Sequence, residues 1–400
     1  MKGSIIVAFT LLCSAMLVGM VKGDGVNADF TWTPTSPLSK QQVSFTDHST
    51  PTTGVVKRIW YFGDGEGSVE KNPKHTYEKP GTYTVTLVVV WNISGNETAD
   101  VATKNITVQN RMPIANAGPD QLVDTRTVTL NGSQSYDPDG TIVSYHWNFG
   151  DSTTGLGKVV QHTYASDGVY TVVLNVTDDS GGYGIDSCMV KVDTSSPNTT
   201  VHLNGSKGEN GWFISNVRVN FTVNETLSGL NATFYRIDEG NWTLYKGDFN
   251  ITEEGIHLLE FYSDDKAGNR EDIRSTTIKI DKTSPQVDIV SPQEKKIYIF
   301  GRGILPTFKR TFIIGRITVE VNATDNIMMY QVKFFVNGEL MANDSTSPYE
   351  WKWGGAIGAK TLKVVASDGA GHETSKEINV FIISFFKPRG TSVGIERANS

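Results

Sequence analysis

Cysteine is scarce in this sequence, with two residues among 400. Cys13 lies in an apolar N-terminal stretch, which leaves Cys188 as the only cysteine in the rest of the chain. A single cysteine cannot form an intrachain disulfide, so the domains must be stabilised by packing and not by covalent cross-links. Cys188 falls in an alternating apolar run, and this placement predicts a small buried side chain.

An excess of basic charge is also missing. The chain carries 36 Lys and Arg against 43 Asp and Glu, a formal net charge of −7. The seven histidines show no His-x-x-x-His spacing, and the sequence has no Gly-x-Ser-x-Gly elbow or phosphate-binding glycine loop. We therefore expect no nucleic-acid partner, no catalytic residue and no cofactor, apart from the calcium candidates described below.

The one long apolar run lies at the N-terminus. Lys2 precedes the apolar stretch 5–21, and small residues around Gly23 suit cleavage by a signal peptidase. We interpret residues 1–23 as a signal peptide, which predicts a secreted or cell-surface protein. A stretch of this length also allows an uncleaved N-terminal anchor, which would be the only membrane attachment. The C-terminal apolar segment 378–386 is too short to anchor the chain and predicts a last strand.

A pattern of Trp, Phe, Gly and Asp occurs twice. It begins at Trp60 and returns at Trp147, 87 positions later, and in both places a His and a Tyr follow the Trp by 15 and 17 residues. The two sets are Trp60, Gly63, Asp64, His75 and Tyr77, and Trp147, Gly150, Asp151, His162 and Tyr164. A period of this length indicates one small domain repeated in tandem.

Apolar and polar residues alternate along most of the chain, as in segments 82–87, 169–174 and 361–366. Short alternating segments separated by Gly, Pro, Asn and Asp predict antiparallel β-sandwiches. We predict an all-β protein, a string of four immunoglobulin-like β-sandwich domains divided by proline-bearing linkers. The expected parts are the signal peptide 1–23, domains at 24–109, 110–193, 194–283 and 284–386, an inserted loop near 297–315 in the last domain, and a tail at 387–400.

The segments 60–65, 72–77 and 80–85 together resemble a PKD (polycystic kidney disease) domain. The second copy resembles this family more fully, with its opening at 115–121 and Asp-Pro-Asp-Gly at 137–140, although Ser152 replaces a glycine. The third and fourth domains resemble Ig-like repeats of bacterial and archaeal surface proteins. The segments that carry this second resemblance are 211–213, 234–238, 262–269, 332–338, 348–351 and 366–372.

The repeated residues have architectural explanations. A Trp on an inward-alternating strand fills the space between two sheets, Gly-Asp forms a hairpin turn, and the His and Tyr are expected to support that turn. Because the His recurs with the fold motif, a scaffold role is favoured over catalysis. The pairs Asp178-Asp179 and Asp264-Asp265 fall at glycine-rich hairpin tips, where solvated turn residues are expected.

Two kinds of ligand site remain as candidates. Asp137 and Asp139 offer oxygen ligands for calcium, although Asp-Pro-Asp-Gly also forms a β-turn without an ion, and the turn is the favoured interpretation. Trp242, Trp351 and Trp353 are candidates for stacking on a sugar ring, with core packing as the favoured alternative.

Asn-x-Ser/Thr sequons are abundant, and those on strands lie on the polar side of the alternation, as Asn220 does. The pattern predicts glycosylation of an exported chain. The candidate positions are Asn92, Asn96, Asn105, Asn131, Asn175, Asn198, Asn204, Asn220, Asn224, Asn231, Asn241, Asn250, Asn322 and Asn343.

Together these features predict an exported cell-surface protein with a structural or adhesive role. Its expected partners are surface proteins or polysaccharide, contacted through loop tips and sheet edges. An alternative follows from the PKD resemblance, because PKD domains often accompany proteases and chitinases. In that case the chain would be an accessory substrate-binding protein of a secreted depolymerase system.

Overall fold

The fold was obtained as a computed structural model, which describes residues 24–307 and 309–385. The expected signal peptide and the tail lie outside the described residues. Within the described ranges the chain is all-β, and no helix is long and apolar enough to cross a membrane. The chain divides into two compact units, with the boundary after Ser195. Each unit contains two β-sandwiches, which we number as modules 1 to 4 along the chain.

Modules 1 and 2 form the first unit. Module 1 contains β1 (Phe30–Thr33), β2 (Gln42–Asp47), β3 (Val55–Tyr61), β4 (Gly67–Ser68), β5 (Lys74–Thr76), β6 (Gly81–Ile93) and β7 (Asn96–Val108). Module 2 contains β8 (Gln121–Val123), β9 (Thr127–Asn131), β10 (Ile142–Asn148), β11 (Thr154–Leu156), β12 (Val159–Thr163), β13 (Gly168–Asp178) and β14 (Tyr183–Val192). The strand orders are β1-β2-β5 facing β4-β3-β6-β7 in module 1, and β12-β9 facing β11-β10-β13-β14-β8 in module 2.

Modules 3 and 4 form the second unit. Module 3 contains β15 (Asn198–Asn204), β16 (Trp212–Phe213), β17 (Val217–Asn224), β18 (Leu230–Ile237), β19 (Thr243–Leu244), β20 (Phe249–Ile251), β21 (Gly255–Asp265) and β22 (Arg274–Ile280). Module 4 contains β23 (Gln286–Ser291), β24 (Lys296–Ile299), β25 (Arg302–Pro306), β26 (Thr311–Ile314), β27 (Ile317–Thr324), β28 (Met329–Val336), β29 (Glu339–Asp344), β30 (Tyr349–Trp353), β31 (Ile357–Asp368) and β32 (Glu373–Ile383). Three-stranded sheets, β15-β17-β20 and β23-β27-β30, face the larger sheets of these modules.

The alternation in the sequence determines which side chains form each core. Along β17 the residues Val217, Val219 and Phe221 are buried, while Arg218 and Thr222 on the opposite face are exposed. Each module has its own hydrophobic cluster, and those of modules 1 and 2 are built around a Trp with no exposed surface. The prediction of an all-β protein built from Ig-like sandwiches is confirmed.

The segment 297–315 of module 4 differs from the expected inserted loop, because most of it forms strands. β24 pairs with β25 as an antiparallel hairpin, and β24 also pairs in parallel with β26, which in turn pairs in parallel with β32. The physical reason is visible in the sequence: Tyr298 and Ile313 point into the core, at 5% and 0% exposure. The segment therefore extends the larger sheet of module 4 to seven strands.

Candidate functional site

The repeated Trp, Gly, Asp, His and Tyr residues form a side-chain cluster in module 1 and another in module 2, which we call turn clusters 1 and 2. In turn cluster 1, Trp60 on β3 is fully buried, and its indole Nε1 donates a hydrogen bond to the carbonyl oxygen of Glu70 at 3.0 Å. His75 on β5 stacks on Phe62, with ring centroids 4.1 Å apart and an interplanar angle of 6°. The aromatic residues thus fix the imidazole in one plane.

Hydrogen bonds complete turn cluster 1. His75 Nε2 lies 2.6 Å from Asp64 Oδ2, and Asp64 Oδ1 accepts the amide of Glu66 at 3.0 Å. The Tyr77 hydroxyl donates to the carbonyl oxygen of Phe62 at 3.0 Å. Asp64 therefore closes the turn through one oxygen and orients the imidazole through the other.

Turn cluster 2 repeats this geometry. His162 Nε2 lies 2.7 Å from Asp151 Oδ2, and the Tyr164 hydroxyl donates to the carbonyl oxygen of Phe149 at 3.0 Å. The His162 and Phe149 rings stack at 4.0 Å and 7°. Trp147 donates to the carbonyl oxygen of Gly157 at 2.9 Å. The equal spacing in the sequence corresponds to equal contacts in space.

The glycines of the two turn clusters have a backbone role. Gly63 and Gly150 have φ values of +92° and +82°, in the region that side chains other than glycine rarely adopt. A Cβ at Gly63 would lie 2.7 Å from the carbonyl oxygen of Thr84, and one at Gly150 would lie 2.6 Å from that of Thr171. Both the conformation and the close approach of the neighbouring strand therefore require glycine.

The electrostatics of the turn clusters follow from these contacts. Burial opposes ionisation of Asp64, but hydrogen bonds from His75 and the Glu66 amide outweigh it and lower the pKa of the carboxyl group below 3.8. The pKa of Asp151 is lowered in the same balance, with Thr153 and His162 as donors. Burial and the nearby Asp64 carboxylate raise the pKa of the Tyr77 hydroxyl.

These clusters are poorly suited to acid–base or nucleophilic chemistry. His75 is only 7% exposed, its ring face is covered by Phe62, and its Nε2 is bonded to Asp64. The adjacent hydroxyl of Tyr77 has a raised pKa and donates to a backbone carbonyl, so it is a weak nucleophile. The arrangement can hold the turn against the sheet, which is the role that the contacts support.

The calcium candidates lie on the side of module 2 that faces module 1. Asp139 is 6% exposed, and its Oδ2 accepts hydrogen bonds from the Ser39 hydroxyl and from the Arg111 amide, the latter at 3.1 Å. The Asp139 amide donates to Asp137 Oδ1 at 3.2 Å, which closes the expected turn. Asp137 Oδ2 and Asp139 Oδ1 are buried and have no hydrogen-bond donor within the described ranges. The two residues thus form a turn that also has free oxygens for a hard cation.

Asp178 lies close to this turn, at the tip of the β13–β14 hairpin. Burial raises the pKa of Asp137, and the negative charges of Asp139 and Asp178 raise it further. Asp178 was expected to be a solvated turn residue, but it is 2% exposed. Its Oδ1 accepts the amides of Ser180 and Gly182, which replaces the hydration lost on burial.

The same correction applies to Asp265 in module 3, which is also 2% exposed, while its neighbour Asp264 is half-buried. Asp265 Oδ1 accepts the amides of Gly268 and Asn269 at 2.7 and 2.8 Å. Sequence reasoning also missed Asp368 in module 4, which occupies the equivalent hairpin tip. The available signal was an Asp followed by Gly three residues later, at positions 178 and 181, 265 and 268, and 368 and 371.

Most sequon asparagines are exposed, and Asn175 and Asn220 are half-buried. The Asn220 side-chain nitrogen donates to Asp248 Oδ1 at 2.5 Å and to the Tyr245 hydroxyl at 3.3 Å. A glycan is attached through this nitrogen, so its hydrogen bonds must break before Asn220 can be modified. The exposed sequons offer no such obstacle of burial.

The three tryptophan candidates differ in exposure. Trp351 and Trp353 are 6% and 2% exposed and stack on each other in the core of module 4. Trp242 is half-buried, and its ring contacts the Arg236 guanidinium at 4.7 Å and the Tyr262 ring at 4.7 Å. Of the three, Trp242 is the one that is not buried.

Family comparisons agree with the architecture. The PKD domain model matches residues 27–108 and 110–192, and the bacterial Ig domain model matches residues 285–364. The first PKD match ends at residue 108, directly before Gln109, and the second begins at residue 110. Each PKD match therefore covers one sandwich of the first unit. The third module is a sandwich of the same general class.

The relatives share the PKD region. The pre-pro-metalloprotease PrtV of Vibrio cholerae is 33% identical over 138 residues, which make up 34% of this chain and 15% of that protein. Collagenase ColA of Clostridium perfringens is 32% identical over 142 residues, covering 31% of this chain and 13% of the collagenase. The chain thus spans less than a sixth of the length of either relative.

A solved structure of the PKD1 domain from the PrtV metalloprotease is 36% identical to this chain. It covers 21% of this chain and 100% of that domain, with a TM-score of 0.19. These similarities concern PKD modules that occur in proteases. This chain is a modular protein with two tandem PKD domains and a bacterial Ig domain, separated by a further β-sandwich, module 3.

Proposed function

We propose that this chain is an exported, non-enzymatic surface protein that acts through structural or adhesive contacts with other proteins or with polysaccharide. The observation that carries the proposal is the internal use of the repeated polar residues. Both His–Asp pairs and both Tyr hydroxyls are bonded within their own sandwich, in the same geometry. Polar groups that are hydrogen-bonded within the fold in both copies support a scaffold role. The specificity of such a scaffold would come from its loops.

The exposed surface suits contact with a partner. Trp242 offers part of an indole ring beside a guanidinium group, which is a combination that favours stacking on a sugar or an aromatic side chain. Sequons on exposed strands and turns support export, because glycans are added to chains that leave the cytoplasm. We therefore place the protein at the cell surface or in the medium, retained by partners or by an uncleaved signal segment.

An accessory role in a depolymerase system is the second candidate. It is favoured by the similarity of the PKD modules to those of a metalloprotease and a collagenase. In that role the chain would bind an insoluble polymer for a separate catalytic protein. The modules matched here are of PKD and Ig types, so the hydrolytic activity would belong to the partner.

Binding of the purified full chain to collagen, chitin and cellulose separates the two candidates. The structural role predicts contacts with components of the cell surface itself, so none of these three polymers should bind saturably, and added protease should release the protein from intact cells. Saturable binding to one polymer would favour the accessory role, and Trp242→Ala should then weaken it about two- to tenfold. Hydrolysis of any of them that disappears in His75→Gln would overturn the non-enzymatic proposal.

N-terminal sequencing of the native protein, combined with separation of membrane and medium, tests the export part of the proposal. A mature chain that begins near Asp24 and is recovered from the medium is the expected result. A chain that retains residues 1–23 in the membrane fraction would indicate the uncleaved anchor, and a cytoplasmic protein would contradict export altogether.

For Asp137 and Asp139 we propose the turn role first, with calcium binding as the alternative.

A further inference from the structure

A buried carboxylate lies in the linker between modules 3 and 4. Asp281 directly follows β22, and its amide donates to the carbonyl oxygen of Phe213 at 2.9 Å. The residue is 1% exposed. Its Oδ1 accepts the amide of Thr283 at 3.3 Å, but no residue in the described part of the chain donates to its Oδ2. A buried carboxylate oxygen without a partner is costly, so this atom requires an explanation.

Two side chains of module 4 lie beside Asp281. Ligand atoms of Asp281, Asp368 and His372 are all within 4.8 Å of one another. Asp368 is 1% exposed, and its Oδ1 accepts the amides of Ala370, Gly371 and His372 at 2.8 to 2.9 Å. This network fixes the hairpin tip, so the position of the Asp368 carboxylate does not depend on Asp281.

The imidazole of His372 is also held in place. Its Nδ1 lies 3.0 Å from Asp368 Oδ2, which leaves Nε2 on the other side of the ring. This contact and the three backbone amides together fix both oxygens of the Asp368 carboxylate.

Asp325 adds a third carboxylate, from the loop after β27. Its Oδ2 accepts the amides of Ile327 and Met328 at 2.8 and 3.0 Å. Asp325 Oδ1 is buried and, like Asp281 Oδ2, accepts no hydrogen bond from any described residue. Burial raises the pKa of Asp281, and the negative charges of Asp325 and Asp368 raise it further.

We propose that Asp281 and Asp368, with Asp325 contributing a further carboxylate, bind a calcium ion at the junction of modules 3 and 4, and that His372 holds the Asp368 carboxylate in position. A divalent cation would add positive charge among the carboxylates of Asp281, Asp325 and Asp368. It would give Asp281 Oδ2 a partner and convert repulsion among the carboxylates into shared coordination.

The donor set favours calcium over zinc. Carboxylate oxygens predominate, and hard cations such as calcium prefer oxygen and accept additional waters. Zinc in proteins favours nitrogen and sulfur ligands, and this cluster offers one imidazole and no thiol. Two partnerless oxygens, Asp281 Oδ2 and Asp325 Oδ1, lie on carboxylates that come from different segments of the chain.

The site would stiffen the junction. The Glu209 amide of module 3 donates to the carbonyl oxygen of Ala370 at 2.8 Å, and Asn210 Nδ2 donates to that of Gly369 at 3.1 Å. These bonds reach the same hairpin tip that contains Asp368. An ion held by Asp281 from the linker and by Asp368 from the tip would add a further connection between the two modules.

Calcium binding by the full-length chain tests the proposal. Wild-type protein, Asp281→Asn and the control Asp139→Asn are each freed of metal with EDTA and titrated with CaCl2 in a calorimeter, while hydrogen exchange is followed in peptides covering 368–372. At free calcium tenfold above the dissociation constant, exchange at this tip should slow about tenfold in the wild type. Asp281→Asn should bind one calcium fewer and lose this slowing, whereas Asp139→Asn should keep it.

Asp281→Asn should remain folded, because the side-chain amide of Asn can donate a hydrogen bond, whereas the Asp281 carboxylate can only accept one. Its exchange pattern in EDTA, compared with the wild type in EDTA, checks this point directly. Unchanged calcium stoichiometry in a folded Asp281→Asn variant would overturn the proposal. The same conclusion would follow if calcium left exchange at 368–372 unaffected in the wild type, or if zinc slowed it and calcium did not.

Discussion

The junction between modules 1 and 2 and the junction between modules 3 and 4 place different residues beside the hairpin-tip carboxylate of the second module. In the first unit Asn110 follows β7, and its Nδ2 donates to Asp178 Oδ2 at the hairpin tip of module 2 at 2.8 Å. In the second unit Asp281 follows β22 and faces Asp368 at the hairpin tip of module 4. An amide satisfies the tip carboxylate in one junction, and a second carboxylate repels it in the other.

With the proposed calcium site, one fold would make the first junction self-sufficient and the second dependent on an ion. A buried carboxylate needs a donor or a cation, and a single change from amide to acid removes the first and creates a need for the second. The tip geometry is otherwise alike, since both Asp178 and Asp368 accept backbone amides from the residues that follow them.

The PKD and Ig pairs should respond separately to loss of a core tryptophan. Trp147→Ala removes a fully buried indole from module 2 and should lower the free energy of unfolding of that module by about 3–5 kcal/mol. Hydrogen exchange in peptides from β13 should therefore accelerate strongly, while exchange in peptides from β31 stays unchanged. Val143→Ala, at a side chain that is 63% exposed on the same strand, serves as the control and should have little effect. Equal acceleration in β31 would contradict separate cores.

The variants Asn110→Asp and Asp281→Asn should have opposite effects on the stability of the hairpin tips beside them. Asn110→Asp removes the donor from Asp178 Oδ2 and places two acidic groups together, which should destabilise the tip 178–182 by about 1–3 kcal/mol without calcium. Faster hydrogen exchange at that tip is the expected readout. The opposite variant, Asp281→Asn, should slow exchange at 368–372 in EDTA.

An exposed asparagine provides the control for this exchange of residues. Asn241→Asp adds the same charge on the surface of module 3 and should leave both tips unchanged. If Asn110→Asp left exchange at 178–182 unaffected, the amide would not be the group that satisfies Asp178, and the comparison between the two junctions would fail.

Much of the fold could be predicted from the sequence, because period-two alternation reports directly which strand face is buried. The same argument failed at 297–315, where glycines and basic residues interrupt the alternation. Strands form there because Tyr298 and Ile313 can still reach the core when β24 and β26 pair in parallel. Parallel pairing between distant segments leaves little trace in a local pattern.

The residues of the turn clusters could be predicted from the sequence, whereas those of the acidic junction could not. Equal spacing from Trp60 and Trp147 pointed to the His, Tyr and Asp residues that the structure brings together, since a repeat compares the sequence with itself. Asp281, Asp325 and Asp368 are separated by more than 40 residues each and meet only through tertiary packing. Burial of the hairpin-tip carboxylates was also missed, because a turn residue is normally assumed to face water.

The matched turn clusters should lose similar stability when their histidines are replaced. His75→Gln and His162→Gln each weaken the contact to the turn aspartate, which lies at 2.6 Å in one cluster and 2.7 Å in the other. We expect each variant to lose about 1 kcal/mol, seen as faster exchange in β6 or β13 respectively. His202→Gln, at an exposed side chain in module 3, is the control. A loss in one cluster without the other would show that equal geometry does not mean equal energy.

The smallest effect should be an opposite response to acid in the two pairs. The folded-state pKa of Asp151 is lowered, because donors from Thr153 and His162 outweigh the effect of burial, so its contribution is present above pH 3.8 and is lost as the pH falls below that value. The folded-state pKa of Asp281 is raised by burial and by neighbouring carboxylates. Its ionisation therefore costs stability as the pH rises from 3.8 to the folded-state value, and acid should restore that stability.

Differences between variants isolate these two groups from the other titrating residues. In EDTA, the stability of the wild type relative to Asp151→Asn, measured by exchange in β13, should decrease as the pH falls below 3.8. The stability of the wild type relative to Asp281→Asn, measured at 368–372, should increase as the pH falls toward 3.8. Because the two trends have opposite signs, a general loss of structure in acid cannot produce both. Parallel trends would mean that Asp281 has a partner at neutral pH, and the contrast between the junctions would then disappear.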